Sequence, residues 1–126
     1  MSALPSVTNV EAALADVTEL WSPRVIAETN DQFVKVAKLH GEFVWHDHAG
    51  EDELFWVIKG ELEIRYRDRE AVTLKAGDIH VVPKGVEHFP VAREECHIVL
   101  IEPKSTAHTG DVITERTRSV ADQLSN

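Results

Sequence analysis

The stretch HDHAGEDELFWVIKGELEIRYRD, residues 46–68, sets two histidines and a knot of acids directly before an apolar run. ELFWVIK and ELEIRY both alternate at period two, which predicts two strands. Lys59-Gly60 between them is expected to form a two-residue hairpin turn. In that register Val57 faces Leu62, Phe55 faces Ile64 and Glu53 faces Tyr66. These six residues share the apolar face, so it is the core face, and Glu53 lies on it near the open end. Leu54, Trp56 and Ile58 point the other way and need a cover. The N-terminal segment or a second copy of the chain, in a homodimer, is expected to supply it. An unpaired charge is expensive to bury. His46, His48 and Glu53 therefore sit at a wet rim, or something positive holds them together.

Working outward, further strand-like runs occupy the chain from Phe33 to Glu102: FVKVAKL, EFVWH, AVTL, IHVV, VEHF and CHIVLI. Punctuated by Gly, Pro and Asp, they predict an all-β antiparallel sandwich or barrel over residues 33–102. Val72, Leu74, Ile79 and Val81 are expected to share the apolar face of one hairpin, which points His80 away. Residues 1–32 form an N-terminal segment in which NVEAALADV reads as a short helix. Asn9 is its expected N-cap, Glu11 lies near the positive end of the dipole, and Pro23 ends the segment's helical potential. Residues 103–126 are a polar tail expected either to drape over the domain or to be partly mobile.

With 126 residues and a formal charge of −9, the chain suits one globular domain and argues against nucleic acid or an anionic membrane as partner. No Lys or Arg precedes Arg24, and the longest uninterrupted apolar run, Leu54 to Ile58, is too short to cross a bilayer. The single cysteine, Cys96, reads as a small buried hydrophobe in a reducing compartment, so cytoplasm is the expected location.

His46 and His48 are two apart, so on a strand both leave the same face. Glu53 follows on the next strand, and His88 follows the turn Pro83-Lys84-Gly85. Three imidazoles and a carboxylate converging inside a barrel make a site for a first-row divalent metal. Two further residues are catalytic candidates. Tyr66 reads either as a core aromatic or as a group that bonds Glu53 or touches substrate. His97 lines the cavity if a turn over Ala92 to Glu95 sets Val99 opposite His88; otherwise it is structural. Asp47, Glu51 and Asp52 read as turned away or solvated, His40 and His108 as solvated, and Trp45 as packing or interface. Phe55, Val57 and Phe89 read as core first and pocket wall second. No Gly-rich phosphate loop and no Ser-His-acid arrangement can be found, and Cys96 lacks a base partner.

On these residues the chain resembles a small single-domain cupin. One motif reads Gly41, His46, His48, Glu53, Gly60, and the other reads Gly77, Pro83, Gly85, His88. Ala92 stands where the second motif has asparagine, and four residues separate Gly41 from His46 where the family usually has five. Neither departure touches a ligand. DELFWVIKGELEI is similar to many small bacterial cupins labelled mannose-6-phosphate-isomerase-like. The resemblance implies a double-stranded β-helix (a jelly-roll barrel), often dimeric. It implies one divalent transition metal ion per chain (iron, manganese, zinc or nickel) held by His46, His48, Glu53 and His88, with open positions for a small-molecule ligand or substrate. Cupins include isomerases, dioxygenases, lyases, decarboxylases and simple binders. The leading expectation is a metal-dependent enzyme of isomerase or dioxygenase type acting on a small organic molecule. A non-catalytic metal-dependent binder of a small molecule or sugar is the alternative, and a metal that only stabilises the barrel is a third reading.

Overall fold

The computed structural model describes residues 4–106. Helix α1, Val10–Ala15, is capped as the sequence indicates, Ala12 N–H donating to the Asn9 side chain at 2.9 Å, with Glu11 in the first turn. Six residues are too few for a helix to persist alone. Its support comes from Leu14 and the following Val17, which pack against Val36, Val99 and Ile58 on the outside of the sheet.

Seven strands follow: β1 Arg24–Thr29, β2 Gln32–Glu42, β3 Glu53–Lys59, β4 Glu61–Tyr66, β5 Val72–Lys75, β6 Ile79–Val82 and β7 His88–Pro103. All pair antiparallel, in the order β1-β2-β7-β3-β6, with β4 joined to β5 and to β7. Together they make the all-β double-stranded β-helix that the sequence predicts. The sheet starts earlier than the run at Phe33 indicates, because β1 pairs with β2 across Asn30-Asp31. Asn30 takes the left-handed conformation there, with φ 51°, which asparagine tolerates. β1 is exposed over its second half, so the alternation that marks a strand is weak.

Two expected hairpins are corrected. β3 and β4 do not pair with each other. Leu54 to Lys59 pair with Ile101 to His97, and Glu63 to Tyr66 pair with Val91 to His88. They form one bent ribbon along one edge of β7, and Gly60 is the bend rather than a hairpin turn. The ladder shifts register just before Gly60. Such a bulge flips strand parity, so Glu53, Phe55, Val57, Leu62, Ile64 and Tyr66 all remain buried as expected.

The second correction concerns β6. It pairs with β3 rather than β5, with Phe55 opposite His80 and Trp56 opposite Ile79. Residues opposite one another share a face. His80 therefore turns inward with Phe55, and Ile79 and Val81 turn out.

The core is the barrel interior, filled from alternate positions by Ala37, Leu39, Phe55, Val57, Leu62, Ile64, Ile98 and Leu100. Cys96 is fully buried within it, and burial pushes its thiol up to about 12. Of the outward apolar residues on β3, Ile58 is covered by α1. Trp56, Ile79 and Val81 stay exposed, at 40%, 62% and 45%. Among the described residues no helix is long and apolar enough to cross a membrane. Of the tail, residues 103–106 are described; the remainder, with His108, lies outside the described residues.

Gly60 is the position at which the fold admits no side chain. Its φ is +86°, and an added Cβ would lie 2.8 Å from the backbone oxygen of Glu95. Gly60→Ala is expected to lower unfolding free energy in urea by about 1–3 kcal/mol. Gly50, whose added Cβ meets nothing within 4 Å, is the control. Gly50→Ala should stay within about 0.5 kcal/mol of the unaltered protein.

Candidate metal centre

The four expected ligands come together, each from a different local device. His46 and His88 are side by side: His46 N–H donates to the His88 carbonyl at 3.1 Å, and His88 N–H to that of His46 at 2.9 Å. The turn Pro83-Lys84-Gly85 clamps the loop that carries His48. Gly85 N–H donates to the His48 carbonyl and Lys84 N–H to Asp52 Oδ1, both at 2.8 Å. Glu53 is the first residue of β3 and points inward with Phe55 and Val57. One donor atom from each of the four lies within 4.8 Å of the others, and all four side chains are buried.

The rings are aimed. His46 and His88 each donate Nδ1–H to a backbone carbonyl two residues earlier, of Val44 and Val86, at 2.9 Å. That tautomer leaves the Nε2 lone pairs for the cluster. Glu53 Oε1 lies 3.3 Å from His48 Nε2 and 3.4 Å from His88 Nε2, and none of these three buried atoms has a well-formed hydrogen bond. Burial, and then the neighbouring His88, lower His46 to about 3, so it is neutral. Burial also disfavours charge on Glu53, yet contacts with His48 and His88 outweigh it and hold the carboxyl well below its usual range. His48 is raised because Glu53 outweighs the effect of burial on that ring. An ionised acid and orphaned imidazole nitrogens, sealed from water, fit a divalent cation. Three nitrogens and one oxygen suit a first-row transition metal.

Beside the cluster is a cavity of about 30 Å³, walled by Leu39, Phe43, Phe55, Ile98, Leu100 and Trp21, with His46 and Glu53 exposed to it. That is room for a water molecule or two. Trp21 stacks on Phe43 with ring centroids 4.8 Å apart. It adopts φ 56°, uncommon for a bulky residue, held by Trp21 N–H to the Lys38 carbonyl at 2.9 Å and Nε1–H to that of His40 at 3.0 Å.

The two catalytic candidates sit elsewhere. Tyr66 lies opposite His88 on β4, but its hydroxyl is bound to His80 Nε2 at 2.6 Å, while Glu53 Oε1 faces His48 and His88. His97 is not brought to the cavity. β7 runs unbroken through Ala92 to Glu95 with no turn there, so Cys96 and Ile98 point in and His97 points out, its Nε2 2.7 Å from Glu95 Oε2. Trp45 packs outside the barrel, stacked on Phe89 with Arg67 over its ring. His40 is exposed, as expected. The sequence reading missed Trp21, His80, Lys35 and Glu102. Lys35 and Glu102 form a buried pair behind Glu53, where burial, and then the Glu53 charge, raise Glu102 well above the carboxylate range. Their signal was strand parity, which sets Lys35 in line with Phe33, Ala37 and Leu39.

The barrel and its buried three-histidine, one-glutamate cluster define the class: a one-domain β-helix able to hold a metal ion. The family described as cupin domain (Cupin_2) matches residues 32–102, and the chain belongs to it. The uncharacterized protein YdbB of Bacillus subtilis (strain 168) is 40% identical over 85 residues, 68% of this chain and 75% of that one. A cupin-2 domain containing protein from Shewanella frigidimarina NCIMB 400 shares 52% identity at TM-score 0.74, over 77% of this chain and 94% of that one. Hydroquinone 1,2-dioxygenase from Sphingomonas sp. TTNP3, with 4-hydroxybenzoate bound, matches at TM-score 0.66 and 13% identity, over 82% and 80%. At that identity the likeness is one of fold.

A ligand that binds only the folded chain stabilises it by mass action. Manganese or zinc at 100 times its Kd should raise unfolding free energy by about 2.7 kcal/mol. Glu53→Ala should abolish that dependence. Equal stabilisation of the variant in the same titration would contradict the ligand assignment.

Proposed function

We propose that the protein is a metal-dependent enzyme acting on a small, largely apolar molecule that offers oxygen donors to the ion, with oxygenation favoured over isomerisation. The cavity wall must yield to admit that molecule, because the space beside the cluster takes only a water or two as it stands. The cavity wall carries this reading. Among the described residues lining it, only His46 and Glu53 are ionisable, and both are assigned to the ion. A bound ion supplies Lewis acidity, polarising a carbonyl, enediolate or catecholate oxygen at its open positions. The chain's own residues do the rest. His46, His48, Glu53 and His88 fix the ion, and Phe55, Phe43 and the Trp21 ring stacked on Phe43 give its cavity an apolar wall.

Isomerisation needs a group that carries a proton between two carbons. His97 faces outward, and Tyr66 enters this reading through His80 rather than through Glu53. The wall also lacks a cation to receive a phosphate, which weighs against sugar phosphates. The hydroquinone dioxygenase is a precedent for oxygenation on this fold, a support of fold-level kind. The same scarcity of proton-transferring groups supports a second reading, a non-catalytic binder of small chelating molecules.

Anaerobic loading with iron(II), followed by azide and then by oxygen with catechol, hydroquinone or a β-diketone, separates these readings. Azide is expected to change the spectrum, and at least one organic compound to drive oxygen uptake. A spectral change with no uptake for any compound would favour the binder. No spectral change would leave the metal a structural role.

A further inference from the structure

Behind Glu53 the barrel holds a lysine–carboxyl pair that ligation does not explain. Lys35 on β2 and Glu102 on β7 are both fully buried, with Lys35 Nζ 2.6 Å from Glu102 Oε1. Strand parity turns both inward, into an interior that is otherwise apolar around Phe33, Ala37, Leu39, Ile98 and Leu100. Leu54 pairs with Ile101, so continuing the antiparallel ladder by one residue sets Glu102 opposite Glu53, and both side chains are buried. Glu53 thus lies between His48 and His88 on one side and Glu102 on the other.

A buried lysine–carboxyl pair is a poor way to stabilise a barrel. Well-packed apolar residues of similar volume are often as good or better, whereas removing one partner strands the other charge. The reason for the pair is sought in what it touches, and it touches one ligand. Carboxylates that bind metal commonly need such a partner to fix their orientation. We propose that Glu102, anchored by Lys35, is a positioning residue for the metal centre, holding Glu53 so that Oε1 faces His48 and His88. The proposal rests on the metal reading above.

Cobalt(II) affinity, by competition, and the cobalt d–d spectrum test it in two variants whose folding is checked by circular dichroism. Glu102→Leu alone would strand Lys35, so the apolar variant is the double one, Lys35→Met with Glu102→Leu. It should fold and bind cobalt about 10–100-fold more weakly, with a changed spectrum. Glu102→Gln keeps a hydrogen-bonding partner for Glu53 and should retain the spectrum and affinity of the unaltered protein. Unchanged affinity and spectrum in the double variant would overturn the proposal, as would a Gln variant as impaired as the double one. Failure of the unaltered protein to bind cobalt would instead remove the metal reading itself, and this inference with it.

Discussion

A carboxylate sealed among three imidazoles is the constraint on which the rest of this structure turns. Glu53 is 2% exposed, and His46, His48 and His88 are as deeply placed. Solvation cannot neutralise it, so the neutralising charge must come from within. The barrel is arranged to make that demand sharp. Main-chain carbonyls take the Nδ1 protons of His46 and His88 and leave the opposite nitrogens facing the acid. The Pro83–Gly85 turn pins the loop of His48 from outside, and Glu102 lies opposite Glu53 on the neighbouring strand. Each contact limits how the cluster could relax without a cation.

The fold supplies this geometry through two long strands and a two-strand ribbon. β7 carries β2 along one edge and the β3–β4 ribbon along the other. The glycine at the ribbon's bend lets two backbones approach where a methyl group would collide. Inward positions therefore converge from several strands on one interior. The outer face is left to α1, which covers part of it.

Local signals in the sequence carried the fold class, the N-cap at Asn9, the inward list on either side of Gly60, and the four expected ligands. Each depends on spacing between near neighbours: period two, a histidine pair, a turn tripeptide. Pairing partners depend on distant chain, which local signals do not reach. The same inward residues follow from a hairpin or from a bulged ribbon, so alternation could not separate the two at Lys59-Gly60. At β6 the difference matters, because the partner sets the parity: pairing with β5 turns His80 outward, and pairing with β3 turns it in. His97 reaches the cavity only through a turn that the unbroken β7 does not contain. Lys35 and Glu102 were legible by parity, yet charge in an otherwise good strand reads as a solvated face until a structure shows it buried.

The most direct test of the central claim is anomalous diffraction at the metal edge, from crystals of protein purified without chelators and reconstituted with a divalent first-row ion. The account predicts one peak per chain, about 2.0–2.2 Å from an imidazole nitrogen of His46, His48 and His88 and from a Glu53 oxygen. No peak at the cluster, or a peak elsewhere while the histidines keep their arrangement around Glu53, would contradict it.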